Sequence, residues 1–213
     1  MDNILICGYR DWALTIYRQI EGMKLITNPE QLNKELQNNN PDIIFFIGWS
    51  WIVEPEIVNN NLCIFLHPSK LPKYRGGSPL QHQIINGETE SSVTLFKMCE
   101  GLDKGDIIFQ KPFSLEGSLN DIFNRISVIG SIGVWEILNS FPDLKMVPQI
   151  ETDSSYYRRR TPDMSEIKLE DFKNFTSKEI YNKIRSLQDP YPNAYVECQN
   201  GTKLFFQRVT YEE

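Results

Sequence analysis

Residues Asp42–Ile47 read DIIFFI, a strand-like run with no polar face. A strand of that kind has to be covered on both sides of its sheet. Ile4–Cys7 and Leu62–Leu66 repeat the pattern, and amphipathic stretches separate the runs. Asp11–Glu21 predicts a helix with Trp12, Ile16 and Ile20 on one face, and Glu30–Gln37 a shorter one. Glu54–Asn59 reads as a helical turn, and Pro79–Ile85 as a helix with Ser78 as N-cap and Pro79 at N1. Ser92–Met98 and Asp106–Gln110 read as consecutive strands. Leu119–Leu138 places Ile122, Ile126, Ile129, Val134 and Ile137 at helical spacing and predicts the longest helix. Such alternation implies an α/β sheet flanked by helices on both faces. Ligands in such sheets gather beyond the carboxyl ends of the strands, where the segment after Ile47 and His67 both fall.

The character changes after Pro148. Glu151–Met164 (ETDSSYYRRRTPDM) is polar and without apolar periodicity, so it reads as a linker or surface loop. A helix over Ser177–Leu187, capped by Thr176 or Ser177, follows. A DPYPNA turn then leads into a hairpin of Ala194–Cys198 and Lys203–Val209 around Asn200-Gly201. The expected organisation is a catalytic domain over 1–150 and a linker, helix and β-hairpin extension over 151–213. The open edge of the hairpin can add strands to a second copy and form a homodimer.

Charge and cysteine usage narrow the function. With 22 basic against 28 acidic residues, the net charge is -6. That balance argues against a nucleic-acid partner, whose phosphates demand Lys and Arg, and leaves a small anionic ligand open. Cys7, Cys63, Cys99 and Cys198 are scattered, with no CxxC or Cys/His spacing. Neither a metal site nor disulfides are expected. The start, MDNILICGYRDW, has no basic leader, and no run approaches the ~20 apolar residues of a membrane span. The expectation is a cytoplasmic protein without a membrane partner. Cys7-Gly8-Tyr9-Arg10 lacks the further glycines of a dinucleotide fingerprint, so no nicotinamide or flavin is expected.

Two residues stand out as candidate catalysts. His67 follows an apolar strand and precedes a Pro- and Gly-rich loop, LPKYRGGSP; Asp103 sits in the turn GLDKGD between two glycines. A histidine and a carboxylate on neighbouring loops suit proton transfer during attack on a carbonyl. His82, on a helix, lacks that setting, and Asp106 fits a turn role.

The segments His67-Pro68-Ser69-x-Leu71-Pro72-x-x-Arg75-Gly76-Gly77-x-Pro79 and Gly101-Leu102-Asp103-x-Gly105-Asp106-Ile107 resemble the 10-formyltetrahydrofolate-dependent formyltransferase family, which includes glycinamide ribonucleotide, methionyl-tRNA and nucleotide-sugar formyltransferases. The resemblance implies a Rossmann-like formyltransferase sheet, 10-formyltetrahydrofolate as co-substrate, and His67 and Asp103 as the catalytic pair. The family triad adds an Asn two residues before the His; Phe65 stands there. A phenyl ring cannot donate to the formyl oxygen, and losing such a donor costs about 3–4 kcal/mol of transition-state stabilisation. Protonated His67, a backbone N–H, Gln81 or Ser78 are the candidate replacements. Short sugar N-formyltransferases resembling that of pseudaminic acid biosynthesis carry an apolar residue at this place.

By the same resemblance, the folate lies against Trp49, Trp51, Ile52 and Val53, with Met98, Cys99, Gly101 and Leu102 closing the other side. Two tryptophans at i, i+2 in an extended segment place both rings on one face, as a lid over a flat heterocycle requires. The acceptor falls to Phe65, Arg75, Gly76, Gly77, Ser78, Gln81, Arg158, Arg185 and Tyr191, the last two in a stretch resembling the family's C-terminal RA-x-DPYPGA. Arg158-Arg159-Arg160 can clamp a diphosphate. The expected reaction is formyl transfer to the amine of an amino-deoxy sugar nucleotide. The alternatives are a carrier-bound aminoacyl group or methionyl-tRNA, or a non-catalytic folate- or nucleotide-binding relative.

Overall fold

The computed structural model describes residues 3–212; Met1 and Asp2, part of the N-terminal stretch read above, lie outside the described residues. The chain runs β1 (Ile4–Cys7), α1 (Asp11–Gln19), β2 (Met23–Ile26), α2 (Pro29–Asn38), β3 (Ile43–Phe46), α3 (Pro55–Asn60) and β4 (Cys63–His67). There follow β5 (Arg75–Gly76), α4 (Pro79–Ile85), β6 (Glu90–Lys97), β7 (Ile107–Ser114) and α5 (Leu119–Ser140). The remainder is β8 (Tyr156–Tyr157), α6 (Asp171–Asn174), α7 (Ser177–Arg185), β9 (Ala194–Glu197) and β10 (Lys203–Phe206).

The main sheet has the order β2-β1-β3-β4-β6-β7. β2, β1, β3 and β4 are parallel, β6 runs antiparallel to β4, and β7 is antiparallel to β6 in turn. The pleat sends alternate residues to opposite faces, which gives two cores. Ile4, Ile6, Ile43, Phe45, Ile64 and Leu66 join α1, α4 and α5 on one face. Leu5, Cys7, Ile44, Phe46 and Cys63 join Leu32 of α2 and Trp49 on the other, with Phe65 packed at its margin. Period two therefore puts Cys63, Phe65 and His67 on one face of β4. β9 and β10 form the expected hairpin, with Gly201 at φ 77 in its turn. A small third core (Ile167, Ile184, Leu187, Ala194) supports it.

The departures from the sequence reading have local causes. β2 escaped notice because MKLI is a short edge strand with an exposed lysine. β7 runs on through Pro112 to Ser114, which an edge strand tolerates because its outer N–H groups need no partner. Ser78 does not cap α4: it sits at φ 52, ψ 45 with no capping bond, and its Oγ accepts instead from the Arg160 N–H. Thr176, by contrast, caps α7 in a full capping box with Glu179. Glu151–Met164 is not free of structure, because Tyr156–Tyr157 pairs in parallel with Arg75–Gly76.

Candidate active site

β4 ends at His67, which is 2% exposed. Its Nε2 lies 2.8 Å from the Tyr74 carbonyl oxygen. A carbonyl can only accept, so Nε2 carries the hydrogen and the lone pair of the neutral ring is left on Nδ1. Nδ1 faces Asp103 Oδ2 at 3.6 Å. A proton taken up at Nδ1 therefore arrives beside a carboxylate.

Asp103 is itself 8% exposed and held from several directions. Its Oδ2 accepts the Gly76 N–H at 2.8 Å. Its carbonyl and that of Gly105 accept from Gln149 Nε2 at 2.9 and 2.7 Å. Gln149 Oε1 in turn accepts from Arg75 Nε and Nη2, and the guanidinium also pairs with Glu151 at 3.0 Å. That pairing, through the Arg75 hydrogen bonds above all, holds the Glu151 carboxyl below the ordinary range. Gln149 was not singled out from the sequence; a lone glutamine in VPQ carries no recognisable signal.

The loop between β4 and α4 is strained and clamped. Tyr74 and Ser78 have positive φ (60 and 52), as has Asp103 (55) in the β6–β7 turn facing them, a conformation costing about 1–3 kcal/mol for residues with a Cβ when the surroundings impose it. The surroundings here are residues 155–160. The Ser155 carbonyl takes the Arg75 N–H, the Tyr157 carbonyl takes the Gly77 N–H, and the Arg158 carbonyl takes His82 Nε2. A Cβ on Gly76 would stand 2.2 Å from the Tyr157 carbonyl oxygen, so only glycine allows this approach. The linker is thus the second wall of the catalytic loop.

Beyond β3 and β4 lies a half-exposed apolar surface of Val53, Phe65 and Met98 against the second core. Near these residues in the chain, Trp51, Ile52 and Leu102 are 42%, 92% and 55% exposed, and Cys99 and Gly101 are exposed as well. The two tryptophans do not act alike. Trp49 is buried and meets Trp51 edge-on at 4.8 Å, whereas Trp51 also leans on Tyr9. The Trp49 Nε1 has no partner among the described residues. A half-exposed apolar floor and an unpaired donor fit a flat, acceptor-bearing heterocycle such as a pteridine.

The remaining expected residues divide. Gly76, Gly77, Ser78 and Gln81 all lie on the loop or first turn beside Asp103. Arg158 and Arg159 are exposed, and Arg159 Nη1 reaches the Ser50 carbonyl at 3.5 Å across the strand ends. Arg75 is buried, with its donors committed to Gln149 and Glu151. Arg185 likewise spends its donors on Asn182 and the Leu115 and Gly117 carbonyls, tying α7 to the end of β7. Neither therefore offers a free guanidinium to a ligand. Tyr191 packs against Phe123, with Arg10 over its ring at 6.0 Å.

Residues 23–130 match the family model described as formyl transferase. The chain is 32% identical over 206 residues to a methionyl-tRNA formyltransferase of Ehrlichia ruminantium, covering 93% of this chain and 62% of that protein. The chain thus spans under two thirds of that curated relative. Among solved structures, a methionyl-tRNA formyltransferase from Clostridium thermocellum superposes with a TM-score of 0.89 at 31% identity, covering 100% of this chain and 94% of that one. A 4-N formyltransferase from Francisella tularensis shares the fold with a TM-score of 0.77 at 21% identity, covering 99% and 98%.

Proposed function

The chain belongs to the formyl transferase family, and on that premise we propose that it moves the formyl group of a 10-formyltetrahydrofolate to a primary amine. The observation that carries the reading is the buried His67–Asp103 pair at 3.6 Å. Folate would lie over Val53, Phe65 and Met98 under Trp51 and Leu102, and supplies a formyl group already activated for transfer. The amine nitrogen bonds to the formyl carbon, and the bond from that carbon to the folate nitrogen breaks. One proton leaves the amine and one returns to the folate nitrogen. His67 Nδ1 is the atom placed to take the first proton, and Asp103 stabilises the imidazolium so formed. Tyr74 and Gly76 keep the two side chains in register through backbone bonds, so neither has to reorganise during reaction.

For the acceptor, the names of the relatives favour an aminoacyl amine such as that of methionyl-tRNA. That choice reverses the expectation of no nucleic-acid partner. An amino-sugar nucleotide is the second reading, and one observation favours it. Arg158 and Arg159 flank the catalytic loop, and among the described residues no carboxylate pairs with either. Two free cations suit a diphosphate, while the net charge of -6 disfavours a long polyanion. Parallel assays with formylfolate and either methionyl-tRNA or a panel of amino-sugar nucleotides decide between them. Formylated aminoacyl-tRNA alone establishes the first acceptor, and formylated sugar alone the second. No product with any amine overturns the transfer reading.

A further inference from the structure

Gln81 is 2% exposed, and its side-chain Nε2 has no hydrogen-bond partner among the described residues. A buried amide left unpaired is costly, and native proteins keep few of them. The neighbouring positions of α4 are all engaged. Leu80 and Ile84 pack into the larger core. Gln83 donates to the Pro68 carbonyl and accepts from Ser91, and His82 holds the Arg158 carbonyl. Gln81 alone points its donor at nothing. It lies about one helical turn (~5.4 Å) past Ser78, the last residue of the loop whose Gly76 N–H grips Asp103.

Two other buried nitrogens share this condition, Trp49 Nε1 and Arg160 Nε. Trp49 belongs to the segment after β3 that borders the apolar floor, and the Arg160 N–H is bonded to Ser78 Oγ. All three unpaired groups are donors, and all three sit on segments bordering the candidate active site. What such a set lacks is an oxygen-rich ligand.

We propose that the Gln81 carboxamide is the hydrogen-bond donor to the formyl oxygen, the role that the phenyl ring of Phe65 cannot fill. The proposal rests on the formyl-transfer reading. Ser78, the other side chain considered for this role, already receives the Arg160 N–H. A carboxamide donates without exchanging a proton, so it can stabilise charge growing on a carbonyl oxygen while His67 and Asp103 handle the proton.

The test compares wild type, Gln81→Met and Gln81→Asn by kcat, by KM and by the Tm of the protein alone. Met keeps the length and removes the donor, so kcat should fall about 100-fold with KM changed little. Its Tm should hold or rise, because an unpaired buried amide has been removed. Asn keeps the donor on a shorter arm and should retain part of the lost kcat. If Gln81→Met turns over like wild type, the proposal is wrong. A fall in kcat that tracks a fall in Tm, with no recovery in Gln81→Asn, assigns Gln81 a packing role and overturns it as well. Should Gln81→Met not fold, Gln81→Leu, which also lacks the donor, takes its place, and wild-type kcat in it, or a loss that tracks its Tm, overturns the proposal. An inactive wild type would instead remove the transfer reading on which the proposal stands.

Discussion

His67 Nδ1 and Asp103 Oδ2 face each other at 3.6 Å while His67 Nε2 is pinned to the Tyr74 carbonyl at 2.8 Å. The backbone bond fixes the tautomer, and the tautomer decides which atom can accept a proton. Replacing Asp103 with Asn keeps an acceptor for the Gly76 N–H but removes the charge beside Nδ1. Asp103→Asn and His67→Ala are each expected to lower kcat about 10²–10⁴-fold, with Tm near that of wild type. Steady-state formylation and a thermal melt on the same preparations check this. A variant retaining full turnover would remove its residue from the mechanism.

Gln149 joins both halves of the site, donating to the Asp103 and Gly105 carbonyls and accepting from buried Arg75. Gln149→Leu takes away two donor contacts and leaves two guanidinium N–H groups short of a partner. The expected loss is about 3 kcal/mol of stability, together with a lower kcat because the Asp103 backbone is released. Urea unfolding measures the first effect. Loss of stability at undiminished kcat would show that Asp103 needs no such support.

Gly105 has no room for a side chain, since a Cβ there would lie 1.6 Å from the Lys97 carbonyl oxygen. Backbone must move to admit it. Gly105→Ala is expected to cost about 3 kcal/mol, or about 6–12 °C in Tm for a chain of this size. Gly87→Ala is the comparison, because φ is +80 there but nothing lies within 4 Å of the added carbon. A negligible loss in Gly105→Ala would show that the backbone yields to the added carbon there without cost.

His82 packs against Tyr157 and bonds the Arg158 carbonyl, and burial, with Arg160 nearby, lowers its pKa below the ordinary histidine value. Protonation then favours the unfolded chain, where histidine titrates near pH ~6.5. Stability is therefore full above about pH 6.5 and is lost as pH falls toward the lower folded value. His82→Gln should shrink the Tm difference between about pH 7.5 and about pH 5.5. An unchanged difference would place the acid sensitivity in other groups.

The sheet was legible from sequence wherever a strand is buried on both faces: DIIFFI, ILIC and the run into His67 carry their own evidence. Edge strands were not, because Met23–Ile26 and the end of β7 need satisfy only one neighbour and tolerate lysine and proline. The catalytic pair was legible because glycines and prolines at fixed offsets mark a shaped loop. Its supports were not. Gln149 accepts from the Arg75 side chain 74 positions away, and the Tyr156–Tyr157 strand pairs with Arg75–Gly76; no local pattern encodes such contacts. Arg75 and Arg185 show the converse, since arginines in motif-like stretches proved to be buried ties.

The account rests on His67 and Asp103 carrying formyl transfer. The most direct measurement is mass-spectrometric detection of N-formylated product from 10-formyltetrahydrofolate and an amine acceptor, methionyl-tRNA and amino-sugar nucleotides included, with wild type and Asp103→Asn side by side. Product from wild type, reduced at least about 100-fold in a folded Asp103→Asn, is the predicted result. Equal yields from the two proteins, or no product from wild type with any acceptor, would contradict it.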